Sequence, residues 1–118
     1  GYGPGEHTRD FIYVKDVVKV NFYFWDHPEI SGIFNCGTGH AHQFNTLAKG
    51  VLKHFGSGEL EYVPFPEVLK GKYQSFTQAD TANLLATGYD GGFTPIEDAI
   101  AEYCELLDKT GGYYVYER

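Results

Sequence analysis

Arg9 is the residue of this chain best suited to grip an anion. It stands in His7-Thr8-Arg9-Asp10-Phe11-Ile12-Tyr13-Val14-Lys15-Asp16-Val17. That stretch reads as a loop carrying one cation, a short strand over Phe11 to Val14, and a helix start with Asp16 as N-cap. A guanidinium offers a rigid fork of donors that matches phosphate or carboxylate oxygens. Upstream, Gly1, Gly3 and Gly5 around Pro4 let a ligand approach the backbone closely. On the residues alone, Arg9 is either an oxyanion fork or a solvated, salt-bridged side chain, the commoner fate of a lone arginine. Lys70-Gly71-Lys72-Tyr73-Gln74 reads as an exposed loop and supplies a second group of cations.

Other constellations are weaker. Gly37-Thr38-Gly39, between an apolar run and a helix, begins like a dinucleotide fingerprint, but His42 stands where Gly or Ala is needed. A structural turn is the better reading. His40-x-His42 lacks further ligands at a metal-binding spacing. Asp10 with Asp16, and Glu97 with Asp98, are carboxylate pairs that caps and solvated faces explain. No Ser or Cys sits in a nucleophile-elbow context, so no complete catalytic constellation is present.

The elements that must hold these residues follow from periodicity. Helices are expected over Asp16 to His27, Phe44 to His54, a short stretch from Ala82 to Gly88, and Thr94 to about Lys109. The last has Thr94 as N-cap, Pro95 at the first helical position and Glu97 three residues past the cap. Apolar runs at Ile33 to Cys36 and Leu60 to Val63 are expected to be short strands, the second closed by Pro64 and Pro66. With 118 residues the chain suits one domain. A net charge of −7 argues against nucleic acid as a partner. Aromatic residues make up 17% of the chain, a surplus that calls for a core or an interface. No run approaches membrane-span length. Cys36 and Cys104 read as reduced core thiols, and the expected compartment is the cytoplasm. The absence of Met and the glycine at position 1 suggest a piece of a longer chain.

Gly3-x-Gly5-x-x-x-Arg9-Asp10-Phe11-Ile12-Tyr13-Val14-x-Asp16-Val17 and Gly32-Ile33-Phe34-Asn35-x-Gly37-Thr38-Gly39 resemble the carboxyl-terminal part of the extended short-chain dehydrogenase/reductase superfamily. Within it, Glu61 to Pro66, Leu69 to Gln74, Phe76 to Asp80 and Asn83-Leu84 resemble the ADP-heptose 6-epimerase family. The likeness runs from about Gly3 to Leu107; the tail from Gly111 to Arg118 does not share it. It implies an α/β fold: the substrate-binding portion of a Rossmann-type enzyme over residues 1–118, with the cofactor domain missing and one or more strands made to join that domain's sheet. It further implies that Arg9 contacts the substrate's pyrophosphate, that Tyr73 contacts substrate from the other side, and that Gly1, Tyr2, Gly3 and Pro4 line the nucleotide-sugar site. The implied chemistry is epimerisation at C6 by oxidation and re-reduction with NADP, in a homo-oligomeric enzyme serving lipopolysaccharide core biosynthesis. The Tyr-x-x-x-Lys pair and the glycine-rich cofactor loop of that superfamily are not found here. The fragment alone is thus expected to be inactive. Another nucleotide-sugar epimerase or dehydratase, or a non-catalytic anion-binding module, remains the alternative.

Overall fold

The computed structural model describes residues 2–113. In chain order the elements are β1 (Thr8–Arg9), α1 (Val14–Asp26), β2 (His42–Gln43), α2 (Phe44–Phe55), a 3-10 turn (Glu67–Leu69), α3 (Ala82–Ala86) and α4 (Ile96–Lys109). All four expected helices form. Gly56 ends α2 in the left-handed region at φ 70°, where its N–H returns to the Leu52 carbonyl at 2.8 Å.

Two helix starts differ from expectation, and the differences are linked. Helix α1 begins at Val14 with Tyr13 as its cap, whose carbonyl accepts from the Asp16 N–H at 2.9 Å. Asp16 is therefore inside the first turn, and it is only 1% exposed. Its carboxylate accepts from the Thr94 N–H at 2.7 Å and the Thr94 hydroxyl at 2.9 Å. The hydroxyl expected to cap α4 is thus engaged by α1. Pro95 takes the cap position, its carbonyl accepting from Ala99. A buried carboxylate needs donors close by, and Thr94 supplies two.

The three expected strands at Phe11 to Val14, Ile33 to Cys36 and Leu60 to Val63 are not formed. An apolar run makes a strand only where a second backbone lies alongside to take its N–H and C=O groups. Among the described residues none does so here, and Ile33 is 96% exposed. The ladder that does form is short. β1 and β2 pair antiparallel, Thr8 opposite Gln43 and Arg9 opposite His42. On its other side Thr8 bridges Phe76 in parallel sense, with Thr8 N–H to the Ser75 carbonyl at 2.9 Å and Thr77 N–H to the Thr8 carbonyl at 3.2 Å. Thr8 and Arg9 are the middle of three extended segments.

Apolar burial is divided between two small clusters. Val20, Leu84 and Tyr89 join Tyr23, Phe24, Phe34 and Phe93. Ile96, Ile100 and Cys104 of α4 pack with Phe11 and with Leu47 of α2. The two helices approach closely at Gly50, where a Cβ would lie 2.8 Å from Ile100 Cδ1. Cys104 is a core thiol as expected, whereas Cys36 is exposed, because of its run only Phe34 packs onto a core cluster. No helix among the described residues is long and apolar enough to cross a membrane.

Candidate functional site

Folding brings three stretches to one cleft of about 800 Å³. Its walls are Tyr2 to Gly5 and His7 on one side, Tyr62 to Phe65 on another, and Leu69 to Gly71, Tyr73 and Ser75 on a third. Such a volume lies within the roughly 300–1,000 Å³ of small-molecule sites. The floor is aromatic. The His7 ring stacks on Tyr2 at 5.5 Å and on Phe65 at 6.0 Å between centroids, and the Tyr73 ring meets both His7 and Phe65 edge-on.

Arg9 stands behind this wall. Its guanidinium carbon lies 4.7 Å from the Tyr73 ring centroid and 5.9 Å from that of Phe44. Nη1 donates to the Thr8 carbonyl at 2.7 Å and Nη2 to the Gln74 carbonyl at 2.6 Å. The fork is held at a fixed angle by β1 and by the loop bearing Tyr73, with further N–H groups unengaged by these bonds. Of the residues expected to meet a ligand, Tyr2, Gly3, Pro4 and Tyr73 therefore line one cleft and Arg9 packs against its Tyr73 wall. Gly1 lies outside the described residues, as do residues 114–118 of the tail. Lys70 lines the cleft and pairs with Glu67 at 2.5 Å.

Sequence reasoning did not single out His7, Phe65 or Tyr62. Phe65 sits between two prolines in a run whose apolar character reads as strand, and only the folded chain shows that it stacks on His7. An aromatic flanked by two prolines was the available signal.

Asp10 is not a solvated cap but the centre of a tight turn. Its carboxylate accepts from the Thr38 N–H at 2.9 Å, the Thr38 hydroxyl at 2.5 Å, the Gly39 N–H at 2.9 Å and the Ala79 N–H at 3.1 Å. Burial by itself raises its pKa, but these four donors outweigh it and hold the carboxyl below its ordinary value. Gly37 is required beside it, since a Cβ there would lie 2.4 Å from the Ala79 Cβ and 2.8 Å from Asp10 Oδ2. The glycine turn that resembles a dinucleotide fingerprint thus has its amides engaged by the protein's own carboxylate. A pyrophosphate does not fit there, being of the same charge as the group already bound.

The remaining reactive groups are quiet. Although Cys36 is exposed, partial desolvation, with the carboxylates of Asp10 and Asp16 adding to it, pushes its thiol up, away from the thiolate a nucleophile needs. Among the described residues no three His, Cys, Asp or Glu side chains gather as a metal site. Among the described residues the cleft offers planar faces and donors for binding.

Known proteins resemble this chain in sequence and in fold. The profile described as NAD dependent epimerase/dehydratase family matches residues 2–37. The chain is 52% identical over 107 residues to ADP-L-glycero-D-manno-heptose-6-epimerase of Alkalilimnicola ehrlichii, covering 91% of this chain and 33% of that protein. Among solved structures, it superimposes with a TM-score of 0.75 on UDP-N-acetylglucosamine 4-epimerase from Methanobrevibacter ruminantium M1, solved with UDP-N-acetylmuramic acid, at 23% identity over 93% of this chain and 34% of that one. The NAD dependent NDP-hexosamine 5,6-dehydratase TunA, involved in tunicamycin biosynthesis, gives a TM-score of 0.74 at 25% identity over 92% and 35%. The chain spans about a third of the length of each.

Proposed function

From a chain related to ADP-L-glycero-D-manno-heptose-6-epimerase along 91% of its length, we infer the substrate-binding part of a nicotinamide-dependent nucleotide-sugar epimerase, with ADP-heptose as substrate and C6 as the carbon inverted. The 52% identity carries this reading. The cleft geometry supports it. Tyr2 and Tyr73 offer planar faces and Gly3 and Gly5 offer close backbone approach. Arg9, steadied by Tyr73 and two carbonyls, supplies a fork for the pyrophosphate. These residues bind and orient the substrate. Hydride transfer with the cofactor, NADP in this reading, and the acid/base step fall to another part of the protein. A cytoplasmic homo-oligomer acting in lipopolysaccharide core synthesis completes the proposal.

The exposed stripe Val14, Val18, Phe22 and Trp25 along α1, together with Ile33, supports a cofactor-binding portion packed against this face. The experiment is a titration of the full-length protein with ADP-heptose, before and after Arg9→Ala. Loss of one charge-assisted phosphate contact is expected to weaken binding by about 1.5–3 kcal/mol, roughly ten- to a hundredfold. Unchanged affinity would overturn the role of Arg9, and tighter binding of UDP- or dTDP-sugars would overturn the substrate.

A further inference from the structure

We propose that Asn45 is a positioning residue that fixes the width of the cleft, by tying its glycine wall to its aromatic wall. The proposal rests on reading the cleft as the nucleotide-sugar site. Asn45 is the second residue of α2 and does not itself line the cleft. Its Nδ2 donates to the Pro4 carbonyl at 3.0 Å, its backbone N–H donates to the Gly5 carbonyl at 3.0 Å, and its Oδ1 accepts from the Tyr62 hydroxyl at 2.9 Å. Pro4, Gly5 and Tyr62 all do line it. One side chain therefore bonds to two walls.

The backbone is fitted to this tie. Gly5 has φ +69°, and a Cβ there would stand 2.0 Å from Asn45 Oδ1. The amide can lie flat against the loop only because position 5 has no side chain. The aromatic wall also depends on it. Residues 57–65 form no ladder, and among the described residues the Tyr62 hydroxyl makes the hydrogen bond that joins this segment to the rest of the molecule. Phe65 adds packing against His7 and Tyr73, but stacking leaves a segment free to slide where a hydrogen bond does not. The anchor itself is rigid, since α2 packs along α4. Asn45 thus refers both walls to a fixed helix end, which lowers the ordering cost that a ligand would otherwise meet on binding.

The test uses the full-length protein, with ADP as the calorimetric probe and ADP-heptose for steady-state rates. Asn45→Ala is expected to raise Kd for ADP and KM for ADP-heptose about tenfold while kcat stays within about twofold, in keeping with two lost hydrogen bonds that act on the free site. Tyr62→Phe removes one hydroxyl and is expected to raise both constants about three- to fivefold. Because the two changes cut the same tie, the double variant should bind no more weakly than Asn45→Ala alone. A purely structural Asn45 would lower Tm and leave the KM-to-kcat split and the coupling absent. Unchanged Kd in either variant, an effect confined to kcat, or multiplying effects in the double variant would overturn the proposal. Where Asn45→Ala fails to fold, Tyr62→Phe decides alone. Failure of the unaltered protein to bind ADP overturns the reading of the cleft, and this inference with it.

Discussion

At the scale of single residues, two carboxylates six positions apart hold distant segments together. Asp10 gathers Thr38, Gly39 and Ala79, and Asp16 gathers Thr94. Hydrogen bonds to a charged group are worth about 1.5–3 kcal/mol, so Asp10→Ala is expected to lower stability by that order, read from the urea midpoint at unchanged slope. Asp10→Asn should cost less, since an amide keeps one acceptor. The pH dependence follows from the depressed Asp10 pKa. The folded state holds the proton more weakly than the unfolded one, so the stabilisation is full above the ordinary value of 3.8 and is lost as pH falls through the lower folded value. Acid unfolding of Asp10→Ala should therefore show a smaller loss below pH about 4 than the unaltered protein does. An identical acid limb in both would show that Asp10 is not the titrating group. None of this was legible in the sequence, because the donors lie 28 to 78 positions away and nothing local separates a cap from a hub.

At the scale of elements, the sequence was readable wherever the information is local. Leu47, Ala48, Val51, Leu52 and Phe55 repeat at helical spacing and Gly56 stops them, and α2 forms over Phe44–Phe55. The strands were not readable, since Ile33 to Cys36 and Leu60 to Val63 carry apolar side chains without saying what will lie beside them. The nearness of Arg9 and Tyr73 followed from resemblance rather than from spacing. Helix α3 has only five residues and depends on Leu84, which is 0% exposed. Leu84→Ala should cost about 2–5 kcal/mol, with the loss read from thermal unfolding. Gly37→Ala should destabilise by about 1–3 kcal/mol through overpacking against Ala79 and Asp10. Gly50→Ala is expected to do likewise at the α2–α4 contact, against Ile100. If Gly50→Ala proved neutral, the close approach of those helices would not be a determinant of the fold.

At the scale of the molecule, the chain is open and thin. Its radius of gyration is 17.0 Å with extents of 49 × 39 × 23 Å, whereas a compact domain of this length would have about 13.5 Å. Phe22 at 63% and Trp25 at 82% exposure lie on the stripe that α1 presents outward. The 118-residue chain alone is thus expected to bind a dye for exposed apolar surface and to self-associate by light scattering, while neither retaining NADP nor turning over ADP-heptose. Phe22→Lys with Trp25→Lys should reduce both dye and scattering; a dark, monomeric unaltered chain would refute the exposure argument.

The two carboxylate hubs also set an order of events during biosynthesis. Asp10 and Asp16 are synthesised well before their last partners, Ala79 and Thr94. Until those residues emerge, the first segment has neither hub closed, and α1 carries an apolar stripe without its inner packing on Leu84 and Tyr89. Native contacts of such long separation close late and slowly. The Asp16 hub therefore closes only once Thr94, just before α4, has been made, and truncation anywhere before Thr94 leaves that buried carboxylate without these donors.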